Sequence, residues 1–231
     1  MTLTVESSTT CDDRSRQSAW ERSYVRAGPP GLWPVAPVPF ASRISGPLHR
    51  VLDCPVGDGK NASVLLERCR MLVGCDTSHA ALAEAERRLS CATNQPYVLL
   101  KADAHNMPFL NDYFDAVFCC DLLGHLPDPK DVLGELLRLL TRGGRIVFNV
   151  FSTADSVQTD PRMTVVGPRT CVYRDEFYFH FYDEQEAYSL IDGLPITKAE
   201  VQHVTWMEPP HPGYREYEHE HASWVVVGSK D

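Results

Sequence analysis

The sequence predicts a single α/β domain: a doubly wound, mostly parallel seven-stranded sheet whose last strand runs antiparallel. Three observations predict it. From His49 onward, short and nearly continuous apolar runs alternate with helical stretches, the pattern of a parallel sheet covered on both faces. The last two apolar runs are joined by a Pro-rich loop too short to hold a crossover helix, so they must pair as antiparallel neighbours. The 231 residues are enough for one core of ordinary size.

Residues 1–14 are rich in Ser, Thr and Asp and read as a flexible tail, so the domain is expected over residues 15–231. Ser15–Arg26 reads as a short helix with Trp20 and Tyr24 on one side. Gly28-Pro29-Pro30-Gly31 and Pro34, Pro37 and Pro39 then impose an extended, turn-rich path, so residues 15–47 are expected to form a lid segment.

The core, residues 48–152, opens with strand Arg50–Cys54, followed by helix Asn61–Arg68, strand Met71–Cys75 and helix His79–Leu89. Strands Tyr97–Lys101 and Ala116–Cys120 come next. Helix Pro129–Leu140 is marked by Val132, Leu133, Leu136, Leu137 and Leu140 at helical spacing, and strand Arg145–Phe151 follows the turn Gly143-Gly144. Residues 153–190 are expected to be a substrate-side insert, irregular over Thr153–Arg174, with a helix near Asp183–Ile191. Strands Ile196–Trp206 and Ala222–Gly228 end the chain.

Composition narrows the function. A 43% hydrophobic and 23% charged chain is globular. A formal net charge of −9 with no basic run disfavours nucleic acid and anionic lipid alike, leaving a neutral or cationic small molecule as the natural partner of a monomer or homodimer. No stretch is long and apolar enough to span a bilayer, and Met1–Gln17 lacks the apolar core of a signal peptide. Of the eight cysteines, Cys54, Cys75, Cys119 and Cys120 lie in or beside apparent strands, and no paired CxxC spacing occurs. Reduced thiols and a cytoplasmic setting are expected.

The strongest local signal is Val51-Leu52-Asp53-Cys54-Pro55-Val56-Gly57-Asp58-Gly59, a buried strand that ends in a carboxylate and enters a glycine turn. Ligands of open α/β sheets bind at the carboxyl ends of the strands, where such a turn lies. Gly57 and Gly59 allow a sharp bend and a close approach to a ligand. A dinucleotide site would offer N–H groups to a pyrophosphate. Asp53 and Asp58 would repel that anion and suit a cationic cofactor. Asp76 ends the second strand, where a carboxylate reaches ribose hydroxyls, although it could also cap the helix beginning near Ser78. Asp103-Ala104 ends the third strand, placed to meet an adenine edge.

The series Asp53…Gly57-x-Gly59, Asp76, Asp103-Ala104, Met107-Pro108-Phe109, Phe114-Asp115, His125-Leu126 and Gly143-Gly144 resembles the class I S-adenosylmethionine-dependent methyltransferases, over about residues 48–152. The resemblance implies S-adenosyl-L-methionine as cofactor. Its methionine part would be bracketed by Asp53, Cys54, Gly57 and Gly59, its ribose held by Asp76, and its adenine met by Asp103 and Ala104; Thr77 and Cys120 complete the expected contacts. Pro55 stands where the family usually has its first Gly and offers no N–H.

The reaction expected is methyl transfer to O or N of a small aromatic metabolite, with a histidine as the base. The alternative is a related enzyme closing a ring on an S-adenosyl-bearing metabolite. Such chemistry needs alignment and, for an acidic nucleophile, a base near neutral pKa. An antiparallel last strand begins on the face where the parallel strands end, which brings His219 and His221 to the site, with their cationic forms favoured by Glu218 and Glu220. Asp121, after the fourth strand, points the same way, and Phe177-Tyr178-Phe179-His180-Phe181-Tyr182 could wall a pocket for a flat substrate. His219, His221 and Asp121 are therefore the candidate catalytic residues. No resident metal is expected, although His219, His221 and a nearby Glu have the spacing for one.

Overall fold

A computed structural model describes residues 13–231 except 30, 34, 35, 45, 93, 94 and 212–214. The first twelve residues of the expected tail lie outside the described residues, and Asp13 and Arg14 already belong to helix α1 (Asp13–Ala27). Five parallel strands follow, with the helices that cover them: β1 (Leu48–Asp53), α2 (Ala62–Leu66), β2 (Cys69–Asp76), α3 (His79–Ala92), β3 (Tyr97–Lys101), β4 (Phe114–Cys119), α4 (Pro129–Leu139) and β5 (Leu140–Phe151). β1 pairs in parallel with β2 and β4, β2 with β3, and β4 with β5.

These strands are apolar on both faces because both faces are covered. Leu52, Val73, Val117, Ile146 and Phe148 pack in one core with Val132, Leu133, Leu136 and Leu137 of α4. Val51, Leu72, Ala116, Phe118 and Val147 face a second core with Leu65, Ala85, Leu89 and Phe40. Pro129 opens α4 and the Asp128 side chain accepts from the Lys130 N–H, so the helix starts where its apolar stripe begins. Each of its buried Leu or Val side chains contributes about 1.5–3 kcal/mol.

The insert is more regular than its sequence predicts. β6 (Met163–Gly167), β7 (Thr170–Tyr173) and β8 (Phe177–His180) form a separate antiparallel sheet in place of an irregular stretch. Phe177 and Phe179 are buried while Tyr178 and His180 are half-buried, a period of two hidden because all four residues are aromatic. A third core, with Ala19, Tyr24, Leu32, Phe151, Tyr173, Phe177, Phe179 and Phe181, joins α1 to this sheet.

Helix α5 (Glu184–Ser189), closed by a capping box of Asp183 and Glu186, leads to β9 (Ile196–Glu208) and β10 (His219–Lys230). The central sheet then reads β3-β2-β1-β4-β5-β10-β9, with β10 antiparallel to both neighbours. Most boundaries shift by one or two residues from expectation, and two strand starts shift further. β5 begins at Leu140 and passes through Gly143, whose φ of 72° absorbs the expected turn, and β10 begins at His219, paired with Glu208. Among the described residues no helix is long and apolar enough to cross a membrane.

Candidate cofactor and substrate site

The carboxyl ends of β1, β2, β3 and β4 open into one cleft, the edge at which open α/β sheets bind their ligands. Cys54, Gly57, Asp76, Thr77, Asp103, Ala104, Cys120, Asp121 and His221 line it, as do Trp20, Tyr24 and Trp33 of the N-terminal segment. Asp53, Gly59 and His219 do not stand on this wall. Gly57 has a φ of 55°, and a Cβ there would lie 2.9 Å from the Tyr24 hydroxyl. Gly59 serves packing: at a φ of 80°, its added Cβ would lie 3.3 Å from the Ala85 Cα of α3.

Asp76 is the best-defined acceptor. One oxygen takes the Gly57 N–H at 3.0 Å and the other the Ser78 N–H at 2.9 Å, so cofactor loop and α3 are tied to one carboxylate. Burial pushes its pKa up to about 6, against the lowering effect of those donors. Asp53, the last residue of β1 and paired with Gly74 and Phe118, is 1% exposed with both oxygens lacking a hydrogen-bond partner, and burial followed by the nearby Asp76 raises it well above the carboxylate range. Asp58 is a tether, accepting the Trp33 N–H at 2.9 Å and Arg88 at 3.1 Å, which holds the lid to α3. Asp103 accepts both the His105 N–H and its ring nitrogen.

On the substrate side, Asp121 is held with a φ of 55° by a reciprocal pair: Asn149 Oδ1 accepts the Asp121 N–H at 2.8 Å, and its Nδ2 donates to the Asp121 carboxylate at 2.7 Å. His125 bonds the Tyr178 carbonyl through Nδ1 at 2.7 Å, and burial lowers its pKa to about 4, which leaves a neutral ring.

The histidine environments differ from the sequence expectation. Glu218 and Glu220 are exposed, and it is Asp155 and Glu208 that meet His221, at 2.9 and 3.4 Å. Burial alone would lower His221, but these carboxylates hold it up at about 9. His219 moves the other way: burial, and to a lesser degree the charge of His221, bring it down to about 4 despite its bond to the Tyr217 carbonyl. His211, buried beside them with Nε2 at 2.9 Å from Glu208, completes a cluster that the sequence reading missed.

Residues 52–148 match the family model of the methyltransferase domain. A demethylmenaquinone methyltransferase of Clavibacter sepedonicus is 36% identical over 138 residues, covering 59% of this chain and 55% of the relative. The cleft, its acidic strand ends and this match coincide. Residues 52–148 are a class I S-adenosylmethionine-dependent methyltransferase domain. The chain spans about half the length of the curated relatives it matches. Two solved structures share the methyltransferase fold. One is described for the conversion of a disulfide bond into a thioacetal group during echinomycin biosynthesis (TM-score 0.68, 18% identity, 93% of both chains). The other is the 1,6-didemethyltoxoflavin-N1-methyltransferase of Burkholderia thailandensis (TM-score 0.59, 17% identity, 95% of this chain and 82% of that one).

The wall of the methyltransferase domain fits its cofactor. S-adenosylmethionine carries an ammonium and a sulfonium and no phosphate. Asp58, Asp76, Asp103, Asp121, Glu176 and Glu208 line the cleft against Lys60, Arg215 and His221, and both Lys60 and His221 already face Glu208, at 3.2 and 3.4 Å. A wall with that balance favours a cation over a pyrophosphate. The sequence held signals for Trp20 and the aromatic run, but none for Trp33, Lys60 or Arg215, which reach the cleft from lid, turn and hairpin loop.

Proposed function

We propose that this chain transfers the methyl group of S-adenosylmethionine to an oxygen or nitrogen of a small aromatic molecule. The observation that carries the reading is the aromatic wall. Trp20 packs 5.1 Å from His125 and 4.5 Å from Phe177, and His125 packs 4.5 Å from Phe179, centroid to centroid. A surface of interlocked rings favours a flat, apolar partner. The quinone-pathway names of the relatives, demethylmenaquinone and ubiquinone biosynthesis methyltransferases, support the same class.

The bound cofactor supplies a methyl carbon already activated by its sulfonium. Asp76 holds the ribose hydroxyls, Gly57 gives the backbone room to approach, and Asp103 with Ala104 borders the adenine. The aromatic wall and the lid align the substrate and exclude water. The substrate loses a proton from O or N as its lone pair forms the new bond to carbon, and the sulfur keeps the electron pair of the old one.

Asp121 is the favoured acceptor of that proton. His219 is off the cleft wall, and both ring nitrogens of His221 are engaged, one with Asp155 and the other facing His219 and Glu208. Asp121→Asn, which keeps the side-chain size beside Asn149, should lower turnover by ~10²–10⁴-fold with the affinity for S-adenosylhomocysteine unchanged. The assay is mass analysis of products from S-adenosylmethionine and a panel of aromatic hydroxyl and amino compounds. Products that gain no methyl group would point to ring closure instead. Full turnover by Asp121→Asn would remove Asp121 as the base.

A further inference from the structure

We propose that Glu208, His211, His219 and His221 bind one divalent transition-metal ion of the imidazole-preferring class, zinc being the type, and that this ion clasps the loop between β9 and β10 at the rim of the cleft. The inference stands on side-chain geometry and does not depend on the methyl-transfer reading.

One potential ligand atom from each of the four residues lies within 4.8 Å of all the others. In a tetrahedral zinc site with bonds of 2.0–2.1 Å, ligand atoms lie about 3.3 Å apart. Here His219 Nε2 is 3.1 Å from His221 Nε2, His221 Nε2 is 3.4 Å from Glu208 Oε2, and His211 Nε2 is 2.9 Å from that same oxygen. These three separations are close to those of a filled site, and no separation in the set exceeds 4.8 Å.

The outer shell fixes which atoms face inward. His219 Nδ1 is 2.9 Å from the Tyr217 carbonyl, which can only accept, so the hydrogen of a neutral ring sits on Nδ1. His221 Nδ1 is 2.9 Å from the Asp155 carboxylate and carries its hydrogen by the same reasoning. These are the carbonyl and carboxylate partners that metal-binding imidazoles use. When both rings are neutral with their hydrogens on Nδ1, two Nε2 lone pairs face each other and the Glu208 anion, and the space between them takes either a metal ion or a proton.

His211 supplies the second, independent observation. Its side chain is fully buried, yet neither ring nitrogen makes a hydrogen bond of acceptable geometry, although Nε2 approaches Glu208. A buried imidazole left in this way, in a cluster whose ligand atoms all lie within 4.8 Å of one another, is suited to an ion. The other Glu208 oxygen is held by Lys60 Nζ at 3.2 Å and Trp206 Nε1 at 3.0 Å, which leaves Oε2 for the ion.

Three imidazoles and a carboxylate suit zinc and its neighbours, and four protein ligands make a closed site of the structural kind. All four come from the ends of β9 and β10 and the loop between them, which also carries Arg215 to the cleft. An ion there would hold that part of the wall in place.

The competing occupant is a proton shared between the rings. Purified full-length chain, stripped with chelator, would be titrated with zinc against a chromophoric chelator and, separately, with cobalt(II). The expected result is one equivalent of zinc per chain, a raised melting temperature, and the strong visible bands of four-coordinate cobalt. His211→Ala and His219→Ala should each weaken zinc by more than the ~10–100-fold typical of losing an outer-shell partner. Absence of stoichiometric binding, or unchanged affinity in both variants, would overturn the proposal and leave the proton as occupant. Should the variants fail to fold, the wild-type cobalt spectrum decides: weak six-coordinate bands or none refute the site. None of these readouts uses turnover, so their failure leaves the methyltransferase reading standing.

Discussion

Cofactor affinity should depend on pH through Asp76. Its carboxyl is held at a pKa of about 6 by burial, and ribose hydroxyls bond best to the ionised form. With that pKa, about nine-tenths of the free protein is ionised at pH 7 and about one-tenth at pH 5. The affinity for S-adenosylhomocysteine should therefore fall about tenfold from pH 7 to pH 5, or about 1.4 kcal/mol by the usual conversion. The sign for folding is the reverse. A carboxyl raised from 3.8 to about 6 contributes stability below about pH 4 that is lost as pH rises through 6, so the free protein bears this cost at neutral pH and the cofactor offsets it. Asp76→Asn cannot ionise and should bind with an affinity lower by about 1.5–3 kcal/mol at pH 7, independent of pH across the same window. Asp76→Ala goes further, because it also strands the Gly57 and Ser78 N–H groups, so it should lower the melting temperature as well. Calorimetry with S-adenosylhomocysteine at both pH values is the test. A flat wild-type profile, or a pH dependence that survives in Asp76→Asn, would refute the assignment.

Three further substitutions separate cofactor contact from packing. Gly57→Val forces a β-branched residue to a φ of 55° and drives its Cβ to 2.9 Å from the Tyr24 hydroxyl, so cofactor binding should be lost; normal binding would show that this turn is not the cofactor loop. Gly59→Ala should cost about 1–2 kcal/mol of stability, seen in denaturant melts, with cofactor affinity unchanged, because that Cβ meets α3 and not the cleft. Asp58→Ala leaves the Trp33 N–H and Arg88 without their acceptor and should cost about 1–3 kcal/mol. Limited proteolysis should then cut the lid segment faster than in the wild type, and an unchanged digestion rate would show that Asp58 does not tether it.

Local pattern carried the sheet. The runs at Val51–Leu52, Leu72–Val73, Val117–Phe118 and Ile146–Phe148 are apolar on both faces and could only be buried strands, and Asp76 at the end of β2 and Asp103 after β3 line the cleft. The same reasoning failed over residues 163–180, where every position of Phe177–His180 is aromatic and periodicity has no polar contrast to register. It also misjudged the histidines. Glu218 and Glu220 are adjacent to them in sequence, but Glu218 lies exposed before β10 and alternation along the strand turns Glu220 outward, while Asp155 and Glu208 arrive from elsewhere in the chain.

The sequence by itself determined the α/β class, the antiparallel final pair and the acidic edge, because those follow from periodicity and loop length within short windows. Only the tertiary structure decided which of the residues around the turn fasten the fold, as Asp58 does through Trp33 and Gly59 by its close packing on α3. It alone brought His211 to His219 and His221 and set their opposite charge preferences. The physical reason is that burial, partner distance and shared protons belong to groups distant in sequence, and no local window contains them.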